Sequence, residues 1–377
     1  MIVGFDAKRF FHNKTGLGNY SRDLVRILAM YYPENTYLLY NPNPAKSSPI
    51  FLDGEIIQEK IPIKKKDKIF SSFWRLFKIV PEIKADKVTI YHGLSGEIPI
   101  GLHKNGPKII VTIHDLIFIH YPELYSFFDR KIHYLKFKYA AKNSDLIIAI
   151  SEQTKKDIIY FFKIKPEKIK VIYQGCAPIF KEEIELDFIE MVKNKYRLPS
   201  KFILNVGTIE KRKNILSVIK SIRNIDIHLV VIGKKTIYFK EIKEYISENG
   251  IEAKIIFFEN VDIKELAVIY RLAKIFIYPS IFEGFGIPII EALYSRTPVI
   301  TTEGGCFKEA GGENSIYIDT RNIIEIENCI KNLLNEPEKQ EMMKIAGFKF
   351  VQKFNDNQIA KDIIICYDDI INSSQKF

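Results

Sequence analysis

The chain has 377 residues, 47% of them hydrophobic, and a formal net charge of +10. That is enough for two globular domains of about 100–200 residues, each with its own core. No apolar run approaches the roughly 18 residues of a membrane span, and MIVGFDAKRFF reads as a strand and turn rather than a signal peptide, so a cytoplasmic location is expected. Cys176, Cys306, Cys329 and Cys366 form no C-x-x-C pair and have no histidines at metal spacing, which favours reduced thiols over disulfides or zinc. The charge is uneven: residues 1–178 carry 28 Lys and Arg against 17 Asp and Glu, and residues 179–377 carry 28 against 29. A basic first half suits an anionic partner, either phosphates on an acceptor or the acidic inner face of a membrane. Solvated lysines explain it equally well, and no nucleic-acid partner is expected.

In chain order, IVGFDA, TYLLYN, VTIYHG, KIIVTIHD, DLIIAIS and KIKVIYQG read as strands, with helices near 19–31, 70–80, 124–143 and 152–162. The alternation breaks at CAPIFKEE and resumes after RLPSK, which places a linker around 176–200. FILNVG, IHLVVIG, KIIFFEN, IFIYPS and PVITTEGG then repeat the pattern, with helices between them and more after residue 322. The expected fold class is α/β, two Rossmann-like doubly wound domains facing a cleft at the carboxyl ends of their strands. The first covers 1–178 and the second 179–355, with a last helix at about 356–372.

The chemistry-bearing residues cluster at those strand ends. In NKTGLGNYSRDL, Gly16 and Gly18 lie between the first strand and a helix expected from about Asn19; two glycines allow close backbone approach, and a plain strand-to-helix turn fits as well. KIIVTIHD ends in His114-Asp115, where a histidine can hydrogen-bond a sugar hydroxyl and shield developing positive charge, or serve a structural role. Asp115 would orient it or hold the loop. His92, at the end of VTIYHG, lines the acceptor side or caps its strand. In VGTIEKRKN, Arg212 and Lys213 fall at the start of a helix, where two cations oppose the dipole and call for an anion such as a diphosphate.

The most informative segment is SIFEGFGIPIIEALY at 280–294. It reads as strand, glycine turn and a helix opening at Pro288. The N–H groups of Phe285, Gly286 and Ile287 would point from the turn towards a phosphate, with the helix dipole behind them. Glu283 lies before that helix and Glu291 is expected in its first turn. Carboxylates beside a phosphate cradle suit hydroxyl-rich groups, one a ribose and one a sugar, so a nucleotide sugar is the inferred ligand.

The spacing E-G-F-G-x-P-x-x-E resembles the E-x7-E motif of retaining glycosyltransferases of family 4, which have the two-domain GT-B fold. The resemblance covers nearly the whole chain and implies the following roles. Gly16 and Gly18 form the loop over the donor phosphates, and His114 is the active-site histidine that contacts the donor sugar. Arg212 and Lys213 neutralise the diphosphate with the amides from Gly284 to Ile287, Glu291 holds the ribose, and Glu283 positions the sugar. Asn260-Val261 lie near the base, with Tyr270 on the helix that follows. Thr208 follows Gly207 where many members carry an arginine, and Arg212 would substitute for it. The terminal helix, about 356–377, is expected to pack back on the first domain.

The resemblance further implies retaining transfer of a hexosyl group to a hydroxyl of a glycan or lipid-linked acceptor, by front-face attack. TGLGNY and VGTIEKRKN resemble bacterial mannosyltransferases of surface-polysaccharide assembly, which makes GDP-mannose the first donor to consider. No D-x-D pair or metal-binding carboxylate cluster stands out, so no metal and no cofactor beyond the nucleotide-sugar substrate are expected. IKKKDKIFSSFWRLFKIV combines lysines with Phe, Trp and Leu and would seat a helix at an anionic membrane, or be a core helix with a basic lead-in. A sugar-nucleotide epimerase of similar fold and a non-catalytic nucleotide-sugar-binding protein are the alternatives.

Overall fold

The computed structural model describes residues 1–13, 15–44, 54–62 and 70–372, with only the backbone of Ser72. The lysine cluster at 64–68 lies outside the described residues. The chain forms two units, Met1–Gly175 with Phe354–Phe377, and Cys176–Lys353.

The first unit is built on a parallel sheet of β1 (Ile2–Asp6), β2 (Thr36–Tyr40), β3 (Ile57–Lys60), β4 (Ile90–Gly93), β5 (Lys108–Ile113), β6 (Leu146–Ala149) and β7 (Ile169–Val171). Their spatial order is β3-β2-β1-β4-β5-β6-β7. The apolar runs serve both faces, as a sheet covered on both sides requires. Val3, Phe5, Ile90, Ile110 and Ile148 face one core, and Tyr91, Ile109, Val111, Ile113 and Ile147 the other. The helix Asp356–Asn372 closes the first of these cores: Ile359, Ala360, Ile363 and Tyr367 pack there beside Leu24 and Leu28 of the helix Gly16–Tyr31. Each large apolar side chain buried in this way contributes about 1.5–3 kcal/mol. Arg26 joins the two helices through Asp356 at 2.6 Å.

The second unit repeats the winding with β8 (Phe202–Val206), β9 (His228–Ile232), β10 (Ile255–Phe258), β11 (Ile275–Tyr278), β12 (Val299–Thr302) and β13 (Ile316–Ile318), in the order β10-β9-β8-β11-β12-β13. In each unit the order reverses beside the first strand, between β1 and β4 and between β8 and β11. Such a switch point opens a crevice at the carboxyl ends of the two strands.

Two expectations need correction. The stretch placed as linker around 176–200 contains a helix, Leu186–Lys195, whose end is tied to the second unit by Lys195 and Tyr196 on Glu265, at 2.5 and 2.6 Å. The strands β3 and β13 were absent from the pattern reading. Both are edge strands, IQEK and IYI, too short or too polar to announce themselves.

Candidate active site

In the second unit the switch point is flanked by the turn after β8 and the loop after β11. The basic residues of the first, expected from sequence to begin a helix, do not. Lys211–Lys213 is a 3-10 turn, and Asn214, at φ 53°, separates it from the helix Ile215–Ser221. Nor do the cations wait for an outside anion. Oε1 of Glu283 accepts from Nζ of Lys213 at 2.6 Å and from Ser280 Oγ at 2.6 Å, and pairs with Nη1 of Arg212 at 2.8 Å. Arg212 also donates to the carbonyl of Phe282 and, through Nη2, to Glu210 at 2.6 Å. Lys213 donates to the Tyr278 hydroxyl at 2.8 Å.

Burial and charge oppose each other here. Burial alone would lower Lys213 and Arg212, but the Glu283 carboxylate outweighs it and holds both above their ordinary values. Burial alone would raise Glu283, and Lys213 and Arg212 hold it below the usual carboxylate range. All three are therefore charged at neutral pH. An ammonium has three donors, of which two are used among the described residues.

The loop then turns into the helix Ile287–Tyr294 at Gly286, whose φ of 117° is open to glycine and strained for other residues. Gly284 and Phe285 are buried, and Pro288 stands at the second helical position, where its missing N–H costs nothing. Glu291 is the fifth helical residue, so it lies beyond the first turn in which it was expected. Its Oε2 accepts from the buried Tyr270 hydroxyl at 2.9 Å. Burial pushes its carboxyl up to about 7, with the Tyr270 bond acting weakly the other way. Asn260, at φ 55°, and partly exposed Val261 follow β10 at the same edge of the sheet.

In the first unit, Gly16 and Gly18 lie inside the helix Gly16–Tyr31 and not ahead of it. The Asn13 side chain starts that helix: its Oδ1 accepts from the N–H groups of Thr15 and Gly18 at 2.8 and 3.2 Å. A β-carbon on Gly18 would come within 1.8 Å of the Asn13 carbonyl oxygen, whereas one on Gly16 would meet nothing within 4 Å. Tyr20 of this helix sets its ring edge-on to His114 at 4.6 Å. Nε2 of His114 donates to the Leu94 carbonyl at 2.9 Å, and Nδ1 accepts from Gln174 at 2.8 Å. Burial pushes this imidazole down to about 4, so it is neutral, and both ring nitrogens already have protein partners. Asp115 accepts from the Ile117 N–H at 3.0 Å, which holds the loop.

His92 lines no surface. It is wholly buried between Tyr367 and Thr112, at 2.8 Å from each, and fastens the terminal helix to the sheet. Tyr278, Ser280, Glu210, Tyr20 and Gln174 were not singled out from sequence, because what matters in each is a partner far along the chain or an unremarkable polar residue in a loop. The second unit also has a cavity of about 580 Å³, lined by Arg271, Lys274, Ser295 and Arg296 among others. These residues precede β11 and β12, at the opposite edge of the sheet from Glu283.

Comparison with known proteins gives this arrangement its place. The family described as Glycosyltransferase Family 4 matches residues 16–178, and that described as Glycosyl transferases group 1 matches residues 188–350. The chain belongs to the glycosyltransferases, with a family 4 domain followed by a group 1 domain. It is similar to the O-antigen chain mannosyltransferase RfbU of Salmonella typhimurium, 28% identical over 230 residues. That match spans 60% of this chain and 61% of the Salmonella protein. It is also similar to O-antigen chain mannosyltransferase B of Escherichia coli, 23% identical over 388 residues, 94% of this chain and 96% of that protein. Among solved structures, sucrose-phosphate synthase of Thermosynechococcus elongatus superposes with a TM-score of 0.77 at 20% identity, covering 99% of this glycosyltransferase and all of that chain. Anabaena HepE in complex with UDP and glucose superposes at 0.74 with 17% identity, covering 97% and 99%. The fold is GT-B, with sheets of seven and six strands among the described residues. Among the described residues no helix is long and apolar enough to cross a membrane.

Proposed function

We propose that this glycosyltransferase moves a hexosyl group from a nucleoside diphosphate sugar to a hydroxyl of a glycan or lipid-linked acceptor, with retention of configuration. Mannose from GDP-mannose is the first donor to consider, because both O-antigen relatives are named as mannosyltransferases. The observation that carries the reading is the Lys213–Glu283–Arg212 cluster at the switch point of the second unit. It supplies fixed, charged donors where a diphosphate leaves, and such preorganised donors stabilise a departing anion without reorganisation. Glu283 keeps the two cations aimed, and their remaining N–H groups go to phosphate. Glu291 accepts from the ribose hydroxyls, the turn from Gly284 to Ile287 faces the phosphates, and Val261 flanks the base. In the first unit, Gly16 and Gly18, in the opening turn of their helix, serve the donor phosphates and let the acceptor approach, and His114, with both nitrogens engaged, serves the sugar through its ring. The departing phosphate takes the acceptor's proton, and the directed N–H groups of the cluster and of the turn hold the leaving diphosphate without a metal. The enzyme works in the cytoplasm, in contact with the inner face of the membrane.

A screen of nucleotide sugars for thermal stabilisation and slow hydrolysis tests the donor half without any acceptor. GDP-mannose should stabilise most and be hydrolysed slowly in the presence of a chelator. Stabilisation by no nucleotide sugar would overturn the reading, and a β-configured product from an α-configured donor would overturn retention.

A further inference from the structure

The cavity beside the starts of β11 and β12 lies at the opposite edge of the second unit's sheet from Glu283. Its volume of about 580 Å³ is that of a small-molecule site. Its walls come from one unit: Arg271 and Lys274 at and beyond the end of the helix Ile263–Leu272, Ser295 and Arg296 after the helix Ile287–Tyr294, and Phe348 of the helix Pro337–Val351. The charge of the lining is one-sided, with five Lys or Arg against three Glu. Lys344 and Glu341 answer each other at 3.2 Å. Arg271, Lys274 and Arg296 have no carboxylate within ion-pair distance among the described residues.

The two guanidinium groups are held in place by uncharged partners. Arg271 donates to the Glu182 carbonyl, and Arg296 lies over the Phe348 ring at 4.1 Å. Burial pulls Arg271 below its ordinary value, the charge of Arg296 pulls it further, and Glu183 acts more weakly the other way. The two helix C-termini at the cavity carry about half a negative charge each, which leaves it positive. This is the reverse of the opposite edge, where Glu283 answers both Lys213 and Arg212. Two further features mark the wall. Ser295 is only 3% exposed, and its hydroxyl has no hydrogen-bond partner among the described residues, which is destabilising for a buried donor. Arg296 takes φ 55°, a conformation that glycine adopts freely and a longer side chain adopts at a cost, so the chain bears strain where it sets a guanidinium.

We propose that this cavity binds the phosphate group of a small soluble phosphoester, at a site separate from that of the nucleotide sugar. Guanidinium groups fork onto phosphate oxygens, and the remaining N–H groups of Arg271 and Arg296 offer two such forks in one wall. The Ser295 hydroxyl donates to a further oxygen of the same group, and Lys274 adds a point charge. The volume exceeds what a bare phosphate fills and admits the organic part of the ester. The proposal goes beyond the transfer reaction and does not depend on it.

The test is isothermal titration of the full chain with mannose 6-phosphate, inorganic phosphate and mannose. Mannose 6-phosphate should bind with a Kd of about 1 mM or tighter, inorganic phosphate more weakly, and mannose not measurably. Arg296→Gly removes the guanidinium and suits φ 55°, so it should keep the fold and lower affinity about tenfold to a hundredfold, the range for a hydrogen bond to a charged group. Arg296→Lys keeps the charge without the fork and should fall between that variant and wild type. Ser295→Ala should lower affinity about two- to tenfold, yet leave the ligand-free protein at least as stable to urea, because the hydroxyl it removes has no protein partner among the described residues. Lys213→Ala, at the other edge of the sheet, should bind mannose 6-phosphate as wild type does. Wild-type affinity in Arg296→Gly and Ser295→Ala, loss of binding in Lys213→Ala instead, equal binding of mannose, or binding of phosphatidylglycerol vesicles with none of mannose 6-phosphate would each overturn the proposal.

Discussion

Replacing Lys213 by Ala tests the cluster on which the donor assignment rests. The ammonium lies 2.6 Å from Glu283 and 2.8 Å from the Tyr278 hydroxyl, and its side chain is only 16% exposed. Removing one member of a buried pair typically costs 3–5 kcal/mol, because the other charge stays behind. Here Arg212 and Ser280 remain on the same Glu283 oxygen, so the loss should fall at the lower end, about 3 kcal/mol. Urea unfolding measures it. Turnover should fall separately, by roughly a hundredfold, the scale of about 2–4 kcal/mol seen when one donor to a developing anion is lost. The two effects are told apart by adding Glu283→Gln: removing the orphaned carboxylate should restore much of the stability and none of the turnover. Near-normal turnover in a folded Lys213→Ala protein would refute the phosphate role. Unchanged stability would refute the claim that the pair is buried and coupled.

Glu291 makes a pH-dependent prediction. Its folded-state value is raised to about 7, so the folded protein binds the proton more tightly than the unfolded chain. The resulting stability is full below the ordinary carboxylate value and is lost as pH rises through about 7. The shift corresponds to at most about 3 kcal/mol, less for a side chain that keeps a partly exposed edge. Unfolding of wild type and Glu291→Gln at pH 5 and pH 8 should show the variant gaining relative stability at the higher pH; a constant difference would contradict the buried acid. On the proposed ribose contact, in which the hydroxyls donate to the carboxylate form, donor KM in wild type should rise as pH falls below about 7, and Glu291→Gln should raise KM at pH 8 and flatten that dependence. The glycines of the first helix should part company. Gly18→Ala drives a β-carbon against the Asn13 carbonyl and should cost at least about 2 kcal/mol, as overpacking does. Gly16→Ala meets open space and should leave stability within about 1 kcal/mol of wild type or improve it; equal losses in both would contradict the described helix start.

The two doubly wound units were legible because their central strands are buried on both faces and read as short, unbroken apolar runs. VTIYHG, KIIVTIHD, FILNVG and IFIYPS all contain strands of the structure. What was lost lies at the margins, where a strand has one neighbour and needs less apolar character, as in IQEK of β3. One helix start was also expected a few residues late, about Asn19 in place of Gly16. The Asn13 side chain fixes that start, reaching forward to the N–H groups of Thr15 and Gly18.

The candidate site was legible as spacing and illegible as contact. E-x7-E marks Glu283 and Glu291 at a glance, yet Glu291 depends on Tyr270, 21 residues earlier, and Glu283 on Lys213, 70 residues earlier. Arg212 and Lys213 read from sequence as unanswered charges, since two cations at a helix start oppose its dipole. The structure removes the premise, because the turn before Asn214 is not that helix's first turn. It also supplies the answer: β8 and β11 are neighbours in the sheet, so the loop that follows one delivers a carboxylate to the cations that follow the other. On the proposed assignment, an arriving diphosphate therefore meets a nearly neutral cluster with directed N–H groups instead of bare positive charge. Its binding should depend on geometry more than on net attraction, which is the property a site needs if it is to hold the anion best at the moment the sugar departs.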